Sequence, residues 1–152
     1  MKCLQCNGRM KTGRENYRYE PVPGLAVTLR DVEVRRCGQC GEYEAVIPRI
    51  EALHRTIALN VVSRESRLTG AEVRFLREFL DWTGAELAQR IGVTRETVSR
   101  WEQGATPMGA TADRLLRAMI LLETKAASPL DKLRQAAKVP AAKAKLRMRS
   151  CT

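Results

Sequence analysis

The chain has 152 residues, with 27 Lys and Arg against 17 Asp and Glu, a formal charge of +10. That length holds one ordinary domain or two small ones. Hydrophobic residues make up 44% and aromatic residues only 5%, so the core must be mostly aliphatic. No apolar run is long enough to cross a bilayer, and the start Met1-Lys2-Cys3 has no apolar signal core, so the cytoplasm is the expected compartment. The single histidine, His54, excludes a histidine-rich metal site and leaves little room for a His-based catalytic triad.

Two CxxC pairs come first, Cys3/Cys6 and Cys37/Cys40, with 30 residues between them. Each pair can present two thiolates from one tight turn, and Asn7-Gly8, Gly38 and Gly41 supply the turn residues. Two such turns make a closed, tetrahedral four-cysteine site of the kind zinc accepts in a structural role. Two disulfides are disfavoured in a reducing compartment. A thioredoxin-like redox pair would need a strand-to-helix context. An iron–sulfur cluster also uses four cysteines and remains open. Between the pairs, Tyr17 and Tyr19 alternate with Arg18 and Glu20, and Pro23-Gly24 marks a turn. Val27 and Leu29 then alternate on one parity and Val32 and Val34 on the other. A turn or bulge at Arg30-Asp31 between two short strands is expected. Residues 1–47 therefore read as a small metal-clamped sheet.

Pro48 is a suitable first-turn residue for a connecting helix, with Ile50, Leu53, Ile57 and Val61 at helical spacing. His54 lies beside that stripe, as a surface or half-buried helix residue. Residues 62–67 read as a polar linker, so 48–68 form the connection. Thr69-Gly70-Ala71-Glu72 and Thr83-Gly84-Ala85-Glu86 are capping boxes, starting helices near 70–81 and 84–91. The first should bury Val73, Leu76 and Leu80, the second Leu87, Ala88 and Ile91. Gly92-Val93 turns the chain. Thr94 caps a third helix from Arg95 to Gln103, anchored by Val98 and Trp101. Thr111 is the expected cap of a further helix, with Leu115, Leu116, Met119 and Ile120 on one face, and a weak fifth helix is expected in the tail. Two short helices around a glycine turn make a helix-turn-helix. Arg95, Glu96, Ser99 and Arg100 lie opposite the anchoring residues. Packing does not explain them, whereas contact with base edges in the major groove does.

From Glu86 to Thr94, and from Val98-Ser99-Arg100-Trp101-Glu102 to Gly104, the chain resembles the XRE/Cro-C1 helix-turn-helix family over residues 69–123. The resemblance implies base contacts at Arg95, Glu96 and Arg100, with Ser99 added from its position. It implies phosphate contacts at Thr83 and Gln103, to which the cap Thr94 is added, and an ion pair between Arg77 and Glu102. Phage repressors often carry Gln where this chain has Gly84, so phosphate grip there must come from amides or from elsewhere. A CxxC–CxxC module joined to an XRE domain also resembles the MqsA-type antitoxins, with their YgiT-type zinc finger, over nearly residues 1–123. That resemblance implies zinc at Cys3, Cys6, Cys37 and Cys40. It further implies homodimerisation through the C-terminal half, an RNase-type toxin bound at the N-terminal half, and repression of the shared operon. That family carries Asn at the Glu96 position and Arg at the Arg100 position, so the operator should differ.

Residues 124–152 form a basic tail outside the resemblance, suited to polyanion binding or to solubility, with a weak amphipathic helix around Leu130, Leu133 and Ala137. Cys151 reads as an incidental free thiol. The expected architecture is α+β: a zinc-bound β-rich module, 1–47, joined by 48–68 to an all-helical DNA-binding domain, 69–123. The expected function is an operator-binding antitoxin. A stand-alone XRE regulator with a structural or sensing zinc module is the alternative. No phosphate-binding glycine loop, no Ser/His/Asp set and no open metal site speaks for an enzyme.

Overall fold

A computed structural model describes residues 1–124 and 147–149. The expected tail helix around Leu130, Leu133 and Ala137, and Cys151, lie outside the described residues. The architecture is α+β, in two compact units. No helix among the described residues is long and apolar enough to cross a membrane.

The first unit takes in Met1–Glu20 and Ala26–Ile50 with a short C-terminal strand. Its sheet is built from β1 (Met10–Val22), β2 (Leu25–Cys37) and β3 (Tyr43–Val46), in that order, and β4 (Arg147–Arg149) pairs with β2 in parallel. β1 and β2 form a hairpin about Pro23-Gly24, and β3 runs antiparallel to β2 with Val34 opposite Ala45. Where two short strands were expected, β2 is one continuous strand of 13 residues. Asp31 sits in the left-handed region at φ 55°. It inserts one residue, so the buried set shifts from Leu25, Val27 and Leu29 to Val32 and Val34 without breaking the strand. Arg14 holds the bulge, with its Nη1 2.7 Å from Asp31 Oδ2. β3 has no counterpart in the sequence reading, because four residues with two exposed side chains carry no clear alternation.

The second unit is helical and, among the described residues, takes in the hairpin tip, Pro21–Leu25, together with residues 51–124. α1 spans Ile50–Ser63. Pro48 is not in its first turn: Pro48 and Arg49 form a turn ahead of it, with Arg49 at φ 54°. Ile57, Ala58, Val61 and Val62 are the buried face of α1, whereas Ile50 is exposed. His54 is half-buried, edge-on to the Phe75 ring at 5.9 Å, and burial lowers its pKa.

α2 (Gly70–Phe79), α3 (Gly84–Ile91), α4 (Arg95–Glu102) and α5 (Ala110–Glu123) follow. Both capping boxes form: Thr69 with Glu72, and Thr83 with Glu86. Gly92, at φ 82°, closes α3 in a left-handed conformation that costs other residues energy. Thr94 caps α4 by accepting from the Thr97 amide. The start of α5 departs from the sequence reading. Gly109 is its N-cap and makes no side-chain cap, so Thr111 lies inside the first turn. Val73, Phe75, Leu76, Leu87, Val98, Trp101, Met108, Leu116 and Ile120 form the core, with Leu80 and Ile91 half-buried around it. Leu115 is exposed rather than packed, because Leu116, Ile120 and Leu121 set the inward face of α5.

The segment read as a polar linker is fastened rather than free. Buried Arg117 donates through Nε to Asp113 Oδ1 at 2.6 Å, through Nη2 to Ser66 O at 2.6 Å and through Nη1 to Val62 O at 3.2 Å. Its Nη1 also meets Arg64 O. Asp113 Oδ2 accepts from the Leu68 amide at 2.8 Å. Residues 62–68 are thus tied to α5 by one ion pair whose members are both more than nine-tenths buried.

Candidate nucleic-acid interface and metal centre

The four N-terminal cysteines converge on one point. Their sulfur atoms all lie within 4.8 Å of one another. Cys3 and Cys40 sulfurs are 3.6 Å apart, and Cys6 and Cys37 sulfurs 3.4 Å. A zinc ion at about 2.3 Å from each sulfur gives a tetrahedron with edges of about 3.8 Å. The set therefore fits one tetrahedral, structural zinc ion. Those separations exclude disulfide bonds. They also leave no room for a cluster, whose bridging sulfides and several irons would push the thiolates further apart.

The two turns that carry these sulfurs are built alike. In the first, the Asn7 amide donates to Cys3 O and the Cys3 amide to Gly8 O, both at 2.9 Å. In the second, the Gly41 amide donates to Cys37 O at 3.2 Å and the Cys37 amide to Glu42 O at 2.8 Å. The residue after each second cysteine, Asn7 or Gly41, has positive φ. Asn is among the few non-glycine residues that enter that region readily. Gly8 leaves room for the cluster: an added Cβ would press on the Cys37 sulfur at 3.1 Å and would displace the end of the flexible Gln39 side chain, 2.6 Å away.

Backbone amides of Cys40 and Gln39 point at Cys37 and hold its thiol down at about 6. At Cys40 the Glu42 amide favours the thiolate, but the neighbouring Cys6, Cys3 and Cys37 thiols and burial outweigh it and push this thiol up to about 12. The four sulfurs at this spacing therefore do not all ionise unaided; a metal bound among them would supply the positive charge that lets them do so.

In the helical unit, α4 separates two kinds of residue. Val98 and Trp101 are buried, while Arg95, Glu96, Ser99 and Arg100 are exposed on the remaining surface of the same helix. Thr94 and Gln103, at its two ends, and Thr83, at the head of α3, are exposed as well. The Thr83 amide donates to Glu86 Oε2 at 2.6 Å, and Gln103 Nε2 lies 3.3 Å from Ser99 Oγ. No atom lies within 4 Å of where a Cβ would stand on Gly84, so crowding is not what keeps a side chain off that position.

Arg77 of α2 and Glu102 of α4 form a two-pronged ion pair, with Nε to Oε1 at 2.5 Å and Nη2 to Oε2 at 3.1 Å. Both side chains are 15% exposed. The same guanidinium donates from Nη1 to Trp82 O at 2.9 Å. One side chain thereby fixes the C-terminal end of α4 and the loop leading into α3, and Glu102 holds the Arg77 pKa above its ordinary value. Arg90 lies over the Trp82 ring at 4.3 Å. The sequence reading missed that stack, since nothing in the spacing of Trp82 and Arg90 marks it.

Residues 73–120 match the family model described as Helix-turn-helix (HTH_3). The matched segment, from within α2 to within α5, contains both short helices and the Gly92 turn between them. No curated protein matches the chain.

Proposed function

We propose that this chain is an antitoxin that binds operator DNA as a repressor and neutralises a partner toxin through its zinc-bound half. The coarser part of that statement rests on the matched segment: the chain carries an XRE-type helix-turn-helix, a DNA-binding fold of transcriptional regulators. The observation that supports the rest is the pairing, in one chain and in this order, of a closed four-cysteine module with such a domain. That is the layout of the MqsA-type antitoxins, which the sequence resembles.

In this reading α4 enters the major groove. Arg95 and Arg100 donate to guanine O6 and N7, Glu96 accepts from cytosine N4, and Ser99 bonds either neighbour. Thr83, Thr94 and Gln103 meet phosphates and set the register. The Arg77–Glu102 pair is the brace that keeps α4 at a fixed angle. Two chains pair through their C-terminal halves and place two reading helices about 34 Å apart, matched to a near-palindromic operator. Zinc at Cys3, Cys6, Cys37 and Cys40 supplies folding energy to the toxin-binding module and takes no part in a reaction, because all four positions are filled by protein.

Two measurements test this. In a gel-shift titration Arg100→Ala should cost operator binding about 1–3 kcal/mol and relax selectivity at one base pair. An unchanged affinity removes α4 as the reading helix. The protein encoded beside this gene should co-purify with the full chain. If it does not, the chain is a stand-alone XRE-type regulator.

A further inference from the structure

A cavity of about 360 Å³ opens between the segment before α2 and the start of α5, and none of the residues assigned above to DNA or to metal lines it. Four of its lining residues are arginines: Arg64, Arg67, Arg114 and Arg117. Two carboxylates also line it, Asp113 and Glu65. Asp113 is consumed by Arg117 and the Leu68 amide. Arg117 in turn is consumed by Asp113 and the carbonyls of the fastened segment. Arg64 is paired through Nη1 with Glu72, which lies outside the lining, at 2.9 Å. Its Nε is shielded from solvent with no acceptor. A buried N–H left without a partner is costly.

What remains unspent is cationic. Arg67 gives one bond to Met108 O at 2.9 Å, and neither Arg67 nor Arg114 meets a carboxylate among the described residues. Ala110, the first residue of α5, also lines the cavity, and no side chain caps the helix there. Its leading amides are free for an acceptor, and the positive end of a 14-residue helix adds to the same field. Among the described residues, Glu65 is the opposing charge left at the wall.

We propose that this cavity is a phosphate-binding site, with Arg67 and Arg114 as the two clamping guanidiniums and the leading amides of α5 as the cradle. Guanidinium forks and helix-start amides together suit a tetrahedral oxyanion better than a single cation would. The phosphate has two sources with the same chemistry. One is the DNA backbone beside the groove that α4 reads, because Arg67 holds Met108 in the loop that follows α4. The other is a free phosphate or small phosphorylated effector. The site stands on the cavity alone and does not depend on the antitoxin reading.

The test uses the full chain, isotopically labelled, at constant ionic strength. Inorganic phosphate is exchanged for chloride while the amide signals of Ala110, Thr111 and Ala112 and the Nε–H signals of Arg67 and Arg114 are followed. Saturable shifts are expected, with at least a tenfold loss of affinity in the Arg67→Gln/Arg114→Gln double variant. Both positions are exposed, and retained helical signal shows that the variant is folded. In parallel, binding of the double variant to duplex DNA is measured against salt. If DNA supplies the phosphate, the slope of log K against log salt falls by about 1–2, at a rate of about 0.9 per phosphate lost, equally for operator and random duplex. Saturable shifts with an unchanged slope assign the site to a free phosphate. No saturable shift together with an unchanged slope overturns the proposal. An operator lost through Arg100→Ala but kept in the double variant separates this site from the reading helix.

Discussion

The two units of this chain are held together by different forces. In the sheet unit, β1 buries almost nothing from Met10 to Asn16 and gives half-buried Tyr17 and Tyr19 before Val22 at its end, so most inward residues come from β2. A sheet so thin gains little from apolar burial, and the four converging sulfurs carry the rest. In the helical unit the order is reversed. Two capping boxes, a left-handed glycine stop and a core around Leu76, Leu87, Val98 and Leu116 define it, with the buried Arg117–Asp113 ion pair at its margin. The contrast teaches that one chain can rely on a sulfur cluster in one unit and on an apolar core in the other, and it predicts that the first can be lost without the second.

Zinc removal is the largest way to break this contrast. Stripping the full chain with a chelator under reducing conditions should abolish the sheet while α2–α5 persist. The relevant free energy is about 10–16 kcal/mol for structural zinc. Circular dichroism should keep its helical minimum, and amide signals from β1–β3 should collapse toward random-coil positions. Loss of the helical minimum would show that the units are not independent.

Arg117→Ala comes next, at about 3–5 kcal/mol, since it leaves Asp113 buried without its cation. Denaturant unfolding followed on the helical signal should show the loss, with zinc content unchanged. Arg77→Ala should cost about 1.5–3 kcal/mol for a charged, partly exposed pair, and it should weaken operator binding in addition, because the brace on α4 is gone. The smallest effect sharpens the comparison of helix starts. Thr83→Ala should cost about 1 kcal/mol as a lost cap, whereas Thr111→Ala should change stability by less than about 0.5 kcal/mol, because Gly109 and not Thr111 begins α5. Equal thermal-shift losses for the two would contradict the observed cap.

What could be read from residue order was whatever is decided within about five residues. Thr69 and Glu72 satisfy each other's backbone amides three positions apart, so the helix start is written locally. Cys3 and Cys6 are carried by one turn, and the parity change at Arg30-Asp31 signals a turn or bulge, though not that the strand runs on through it. The exposed polar residues of α4 stand out because Val98 and Trp101 account for the opposite face. Tertiary structure alone decided what crosses long stretches of chain. Arg117 finds Ser66 across 51 positions and Val62 across 55, converting an apparent linker into a fixed strap. A guanidinium on a long side chain has no preferred partner in sequence. Only the packing of α5 against that strap makes those carbonyls its nearest acceptors, and only there does the arginine cavity come into being.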